Sequence, residues 1–124
     1  MSLFIYVSLF FSFAMASENL SCGKGRLRIL ENGKSQIERS IFCTNYNGTV
    51  LISEKFNKKK IIGRKIPRSH SVNPGFIFCK SLGGRPELVD IDVKGIWYEL
   101  DRCQFQDGTF IDTGSLYELG NSDD

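Results

Sequence analysis

Apolar and polar positions alternate along the chain from residue 26, and Asn-Gly pairs interrupt the alternation. Leu27 and Ile29 alternate with charged neighbours before Asn32-Gly33, and a second pair, Asn47-Gly48, separates two further apolar runs. Asparagine and glycine readily adopt the two positive φ angles of a type I′ turn, so each pair predicts a tight β-hairpin. The pattern therefore predicts a three-stranded antiparallel β-meander within residues 17–56.

Residues 57–72, NKKKIIGRKIPRSHSV, do not continue this alternation. Ile61, Ile62 and Ile66 are typical of a short edge strand whose neighbouring lysines oppose aggregation. Pro67 and the polar residues after it are typical of an exposed connection. Two interpretations of this segment, a basic linker and an edge strand, therefore stay open.

A short helix is predicted immediately after this segment. Asn73 is a favourable N-cap, and Pro74 is favourable at the first helical position because its missing N–H needs no partner there. Gly83-Gly84 ends the helix, since glycine adopts the left-handed conformation found after helix C-termini. Cys79 falls on the inward face of this helix, where a disulfide can form.

Two strands and a hairpin are predicted after the helix. Strands begin at Pro86 and Gly95, and the second leads to an Asp107-Gly108 turn and a returning run over 109–112. Leu116-Tyr117 is interpreted as a docked turn. The predicted fold class is α+β: a small disulfide-stapled domain in which an N-terminal antiparallel β-meander precedes a short helix and a β-hairpin or small antiparallel sheet.

The first residues have the pattern of a secretory signal peptide. Leu3 to Phe13 are almost all apolar, and Ala14-Met15-Ala16 supplies small residues before a cleavage site at Ser17. The run is too short for the roughly 20 apolar residues that cross a bilayer, so no transmembrane segment is expected after cleavage. We therefore expect an exported protein, periplasmic or extracellular. The predicted division is a signal peptide over 1–16, the meander over 17–56, the basic linker or edge strand over 57–72, a helix-plus-hairpin module over 73–118 and an acidic tail over 119–124.

The four cysteines, Cys22, Cys43, Cys79 and Cys103, contain no close pair of the CxxC type. Structural zinc sites usually draw their ligands from such close pairs, so zinc is disfavoured. Export favours two disulfides, for which three connectivities exist. We favour Cys22 with Cys43 and Cys79 with Cys103, because each bridge then closes a loop within one half of the chain.

Charge is distributed unevenly, although the formal net charge is only +2. Residues 17–85 contain 14 basic and 4 acidic side chains, whereas residues 86–124 contain 2 basic and 10 acidic ones. One interpretation is that the two halves dock on each other or that the charges lie in solvent. The other is a surface that binds an anionic envelope polymer, lipid headgroups or an acidic protein. Its candidate residues are Lys58, Lys59, Lys60, Arg64, Lys65 and Arg68. Nucleic acid is not expected, because aromatic residues do not alternate with the lysines.

No residue set predicts a catalytic site. His70 is the only histidine, and no acidic residue near it in the sequence would orient it. Asp101, Asp107 and Asp112 lack the dense spacing of a calcium loop, and Asp107 is explained by its turn. We therefore predict that the protein is not an enzyme and has no catalytic residues, metal or cofactor.

The second half of the chain resembles a known family. Asn73-Pro74, Cys79, Gly83-Gly84 and the run from Cys103 to Gly108, including Phe105 and Asp107, resemble the bacterial domain-of-unknown-function family 333, whose members are often labelled haemolysins. The resemblance covers residues 72–118, with Gly75 and Gln106 departing from the family pattern. It implies a small exported bacterial domain.

Combined with the residues themselves, this resemblance favours a non-enzymatic binding or accessory module of the envelope. The alternatives are a haemolysin-like membrane-active protein and a secreted enzyme inhibitor. The expected working surfaces are the basic segment and the hairpin end over 107–117.

Overall fold

The computed structural model describes residues 19–61, 64–66 and 73–121. The predicted signal peptide, Arg68 and His70 lie outside these residues, so their predictions stay untested. Six strands and two helices are described: β1 (Ser21–Glu31), β2 (Lys34–Thr44), β3 (Leu51–Ser53), α1 (Pro74–Ser81), β4 (Arg85–Val93), β5 (Ile96–Gln104), β6 (Phe110–Asp112) and α2 (Thr113–Gly120). A 3-10 turn over Lys58–Lys60 follows β3.

The strands form a closed antiparallel barrel in the order β1-β2-β3-β6-β5-β4. The predicted α+β class is therefore wrong: the chain is mostly β, with two short helices added to a barrel. Hairpins along the chain join β1 to β2 and β4 to β5, but closure also needs β1 against β4 and β3 against β6. These last pairings join distant segments, and local alternation carries no information about them.

The Asn32-Gly33 turn is confirmed, with φ angles of 53° and 77° between the facing residues Glu31 and Lys34. A matching turn at Lys94-Gly95, with φ angles of 52° and 87°, joins β4 to β5 and was missed. Lysine is uncommon at the first position of such a turn. The Asp92 carboxylate compensates by accepting a hydrogen bond from the Gly95 N–H at 2.8 Å.

The prediction of a two-residue turn at Asn47-Gly48 is wrong. β2 and β3 are joined by a longer loop over 45–50, in which only Gly48 has a positive φ. The Asn45 side chain organises this loop by accepting from the backbone N–H groups of Thr49 at 2.9 Å and Val50 at 3.1 Å. The loop is therefore held by a side chain that precedes the Asn-Gly pair.

The two faces of the barrel wall bury separate apolar clusters. The interior cluster is formed by Leu27, Phe42, Leu51, Val89, Ile91 and Phe110. Side chains of the opposite face, among them Cys103 and Ile111, pack with the helices through Phe78 and Leu116. The helices therefore cover one side of the barrel, and this second cluster supports the candidate site.

The predicted start and end of α1 are confirmed. The Asn73 side chain accepts from the Phe76 N–H at 3.1 Å, Pro74 is the first helical residue, and Gly83 has a φ of 84°. The predicted docked turn around Leu116 is instead the helix α2. Its N-cap is Asp112, which accepts from the Ser115 N–H at 2.8 Å.

Both disulfides that we favoured are confirmed. Cys22 and Cys43 face each other across β1 and β2, with their Cα atoms 4.0 Å apart. Cys79 and Cys103 join α1 to β5, with a Cα separation of 5.7 Å, and both side chains are fully buried. Two disulfides are consistent with an oxidising, exported environment.

Ion pairs connect the basic and acidic halves of the chain. Arg26 of β1 contacts Asp92 of β4, and Arg28 contacts Asp90 at 3.0 Å. The Arg28 guanidinium also lies 4.3 Å from the centroid of the Trp97 ring. Part of the charge asymmetry is therefore explained by contacts between the two halves.

Candidate binding cavity

A cavity of about 350 Å³ lies beside the helices, where three separate segments meet. Its size falls within the range of small-molecule sites. The first segment follows β3, the second follows α1, and the third is the loop between β5 and β6. The residues that line it are Lys55, Phe56, Asn57, Ile61, Arg64, Leu82, Gly83, Phe105, Gln106, Asp107 and Thr109. We call this space the basic cavity.

The wall of the basic cavity is apolar. The rings of Phe56 and Phe105 lie 6.0 Å apart between centroids and are tilted by 31°. Ile61 is buried, and Leu82 is half-buried after the end of α1. All four side chains belong to the cluster beneath the helices. The cavity therefore offers apolar surface that is continuous with a packed core.

Two cationic side chains, Lys55 and Arg64, stand on the rim, and both residues are exposed. Their backbone is held by turns. The Phe56 N–H donates to the Ser53 carbonyl at 3.1 Å, and the Arg64 N–H donates to the Ile61 carbonyl at 2.9 Å. Positive charge is therefore placed directly beside the aromatic wall.

The opposite rim is the turn between β5 and β6. The Phe105 N–H donates to the Thr109 carbonyl at 2.9 Å, and Gly108 takes the required positive φ of 90°. Asp107 accepts from the Thr109 N–H at 3.0 Å and from its hydroxyl at 2.6 Å. These bonds hold the carboxylate as a turn residue, as the sequence predicted, and make this rim rigid.

A close contact behind the cavity holds the third segment in place. The Gly84 N–H donates to the Cys79 carbonyl at 2.9 Å. A Cβ atom at Gly84 would overlap the sulfur of Cys103 and lie 3.0 Å from the sulfur of Cys79. The double glycine therefore lets the backbone pass directly over the disulfide, which brings Leu82 and Gly83 to the rim.

The structure brings together only some of the predicted binding residues. Arg64 lines the basic cavity, whereas Lys58, Lys59 and Lys65 are exposed outside its lining. Lys60 lies in the 3-10 turn, and Arg68 falls outside the described residues.

Of the family-like residues, Gly83, Phe105 and Asp107 line the basic cavity. Gly84 and Gly108 shape its supporting turns, while Asn73 and Pro74 begin α1.

Lining residues that were missed as site residues include Lys55, Phe56 and Asn57. The available signal was Phe56 directly beside Lys55, the first residue of a stretch over 55–85 that contains no acidic side chain. Its meaning depends on Phe105, which is far away in the chain and reaches Phe56 only after the barrel closes.

Asp112 is the most deeply buried of the aspartates considered for catalysis. Burial raises the pKa of its carboxyl above the ordinary value, while hydrogen bonds from the Leu51 and Ser115 N–H groups act in the opposite direction. Its two oxygens each accept one of these bonds, at 2.8 Å. Asp112 therefore joins β3 to the start of α2, which is a structural role.

Within the part of the chain that the structure describes, no helix is long and apolar enough to cross a membrane. Comparison with family models, with curated proteins and with solved structures finds no match to this chain.

Proposed function

We propose that this protein is an exported, non-enzymatic binding module of the bacterial envelope or extracellular space, and that the basic cavity binds an anionic amphiphile. The observation that carries the proposal is the placement of Lys55 and Arg64 beside the apolar wall of Phe56 and Phe105. The ligand class is a molecule with a short apolar part and an anionic group, such as the phosphate of a phospholipid together with the first carbons of its acyl chains. The resemblance to family 333 agrees with an exported bacterial module and stays a prediction.

Both the apolar wall and the cationic rim of the cavity are needed for this ligand class. Apolar surface removed from water contributes about 25 cal/mol per Å², so the wall supplies affinity without selecting charge. The two cations attract an anion, and they act more strongly beside a low-dielectric wall than in open solvent. Among the described residues of the lining only Asp107 is acidic, and its carboxylate accepts two hydrogen bonds from Thr109.

Three probes separate these contributions. Octyl phosphate carries both groups, inorganic phosphate carries only the anion, and octanol carries only the chain. Titration calorimetry should show binding of octyl phosphate that is clearly tighter than binding of either partial probe. The affinity should also fall as salt is raised, since exposed charges are screened over about 10 Å at 0.1 M ionic strength. Equal binding of octanol and octyl phosphate would show that the cations do not contribute.

Charge reversal distinguishes recognition in the cavity from general attraction. The Lys55→Glu, Arg64→Glu double variant should bind octyl phosphate at least about tenfold more weakly. The matched control is Lys58→Glu, Lys59→Glu, which makes the same charge change at exposed residues outside the cavity lining. Equal losses of affinity in the two variants would show that a diffuse basic surface, and not the cavity, attracts octyl phosphate.

A further inference from the structure

A second and larger cleft, of about 720 Å³, lies at the loop between β2 and β3. Residues that line it include Asn45, Tyr46, Asn47, Thr49, Ser115 and Glu118. It shares Asn19, Asn45 and Tyr46 with an adjoining cleft of about 360 Å³ beside the start of β1. We call the larger space the tyrosine cleft. None of the described residues that line it also lines the basic cavity.

Tyr46 stands between the two clefts with 76% of its surface exposed. Exposed tyrosines are effective binding residues, because their rigid rings supply contact area at a small cost in side-chain entropy. The ring face packs against flat apolar surface, and the hydroxyl group remains available for a polar partner. Tyr46 therefore provides an exposed aromatic surface that both clefts share.

The loop that presents Tyr46 is pre-organised. The Asn45 amide nitrogen donates to the Thr49 hydroxyl at 2.7 Å, and that hydroxyl donates to the Asn47 side-chain oxygen at 3.0 Å. Gly48 packs against the Tyr98 ring so closely that a Cβ atom would overlap it. A rigid loop loses little conformational entropy when it binds a ligand.

The chemistry of the tyrosine cleft selects a neutral polar ligand. Among the described residues of its lining there is no lysine or arginine, in contrast to the basic cavity. Its two carboxylates differ, since both oxygens of buried Asp112 are engaged by backbone N–H groups and only Glu118 is an exposed acid. The other polar side chains are amides and hydroxyls, which both donate and accept hydrogen bonds. Asn45 and Thr49 are largely engaged within the loop, so Asn47 and the Tyr46 hydroxyl are the groups best placed to contact a ligand. This set suits a ligand rich in hydroxyl groups.

We infer that the tyrosine cleft binds a neutral oligosaccharide, with one sugar ring stacked on Tyr46 and its hydroxyl groups hydrogen-bonded to the side chains around it. Sugar rings present an apolar face of C–H groups and a polar edge, which matches an exposed aromatic ring among amides and hydroxyls. The adjoining cleft, which shares Tyr46 and is lined also by Lys24 and Lys94, gives room for the chain to continue. This site is separate from the basic cavity and does not depend on its ligand.

The test uses maltotriose, cellotriose, mannotriose and the trimer of N-acetylglucosamine as probes. Saturation-transfer NMR and calorimetry should detect at least one with a Kd near or below about 1 mM. Tyr46→Ala should weaken that binding at least about tenfold, and Tyr46→Phe should retain it, since the phenyl ring still stacks. Leu30→Ala, which truncates an exposed side chain on β1, is the matched control and should bind like the unaltered protein.

Tyr46→Ala should bind octyl phosphate normally, which separates a failure of this site from a failure of the basic cavity. Far-UV circular dichroism checks that each variant is folded, as expected for changes at exposed side chains. Absence of binding to all four trisaccharides overturns the inference. Equal trisaccharide binding by Tyr46→Ala and the unaltered protein overturns it as well.

Discussion

Arg102 of β5 and Glu87 of β4 face each other in the barrel and form an ion pair at 2.7 Å, with the arginine side chain only 3% exposed. Glu38 of β2 contacts the same guanidinium at 3.3 Å, and the Phe110 ring lies 4.8 Å from it. A buried charge needs such partners, because an isolated one is strongly disfavoured in a low-dielectric interior.

Neutralising Glu87 should therefore lower the free energy of unfolding more than neutralising Glu38. Glu87→Gln leaves a buried guanidinium without its shortest partner, and we expect the free energy of unfolding to fall by about 2 to 4 kcal/mol. Glu38 is more exposed and its contacts are longer, so Glu38→Gln should cost about 1 kcal/mol or less. Urea unfolding of both variants measures the difference, and equal losses would contradict the assigned importance of Glu87.

Gly84→Ala should destabilise the fold through the disulfide behind the basic cavity. The new methyl group would overlap the Cys103 sulfur, and both cysteines are fully buried. Overpacking of this kind typically costs about 1 to 3 kcal/mol of the free energy of unfolding. Gly23→Ala is the control, since nothing lies within 4 Å of its Cβ position. Similar urea midpoints for the two variants would exclude a steric role of Gly84.

The two disulfides should differ in their resistance to reduction. A thiol must reach a sulfur atom to exchange with it, so access controls the rate. Cys22 is exposed and Cys43 is half-buried, whereas Cys79 and Cys103 have no exposed surface. In the folded protein a mild thiol should reduce the Cys22–Cys43 bond first. Alkylation followed by peptide mass mapping reads the order, and early labelling of Cys79 would contradict it.

Asp112 and Asp92 should give opposite dependences of stability on pH. Burial raises the pKa of Asp112 above its ordinary value of 3.8, so the folded state favours the protonated carboxyl. The contribution of Asp112 to the stability of the folded state is fully present below pH 3.8 and is lost as pH rises through the raised folded pKa. The free energy of unfolding of the unaltered protein, relative to Asp112→Asn, should therefore increase as pH falls towards that value.

The Asp92 pKa is lowered, chiefly by its hydrogen bond from Arg26. Its contribution to stability is present above pH 3.8 and is lost as pH falls through the lowered folded pKa. The advantage of the unaltered protein over Asp92→Asn should therefore shrink on acidification. Urea unfolding between about pH 3 and 7 gives, for each variant, the difference in free energy of unfolding from the unaltered protein as a function of pH. Differences that change with pH in the same direction for the two variants would refute the assignment.

Several local features followed from the sequence because neighbouring residues decide them. Asn32-Gly33 has the conformational freedom that a two-residue turn needs, and Asn73-Pro74 has the chemistry of a helix start. The disulfide pairs also followed, because each joins cysteines within one half of the chain. In each case the cause acts over a short stretch of sequence.

Closure of the barrel and formation of the basic cavity were decided by the tertiary structure. β1 pairs with β4 and β3 pairs with β6 across long sequence separations, and the residues between them carry no local signal of partner or order. Lys55 and Phe56 therefore become part of a site only when closure of the barrel places them beside Phe105. The sequence determined the Asn32-Gly33 turn and the start of α1 through local conformational preferences, and the cysteine pairs through their closeness along the chain. Long-range strand pairing and burial decided which of these pieces meet.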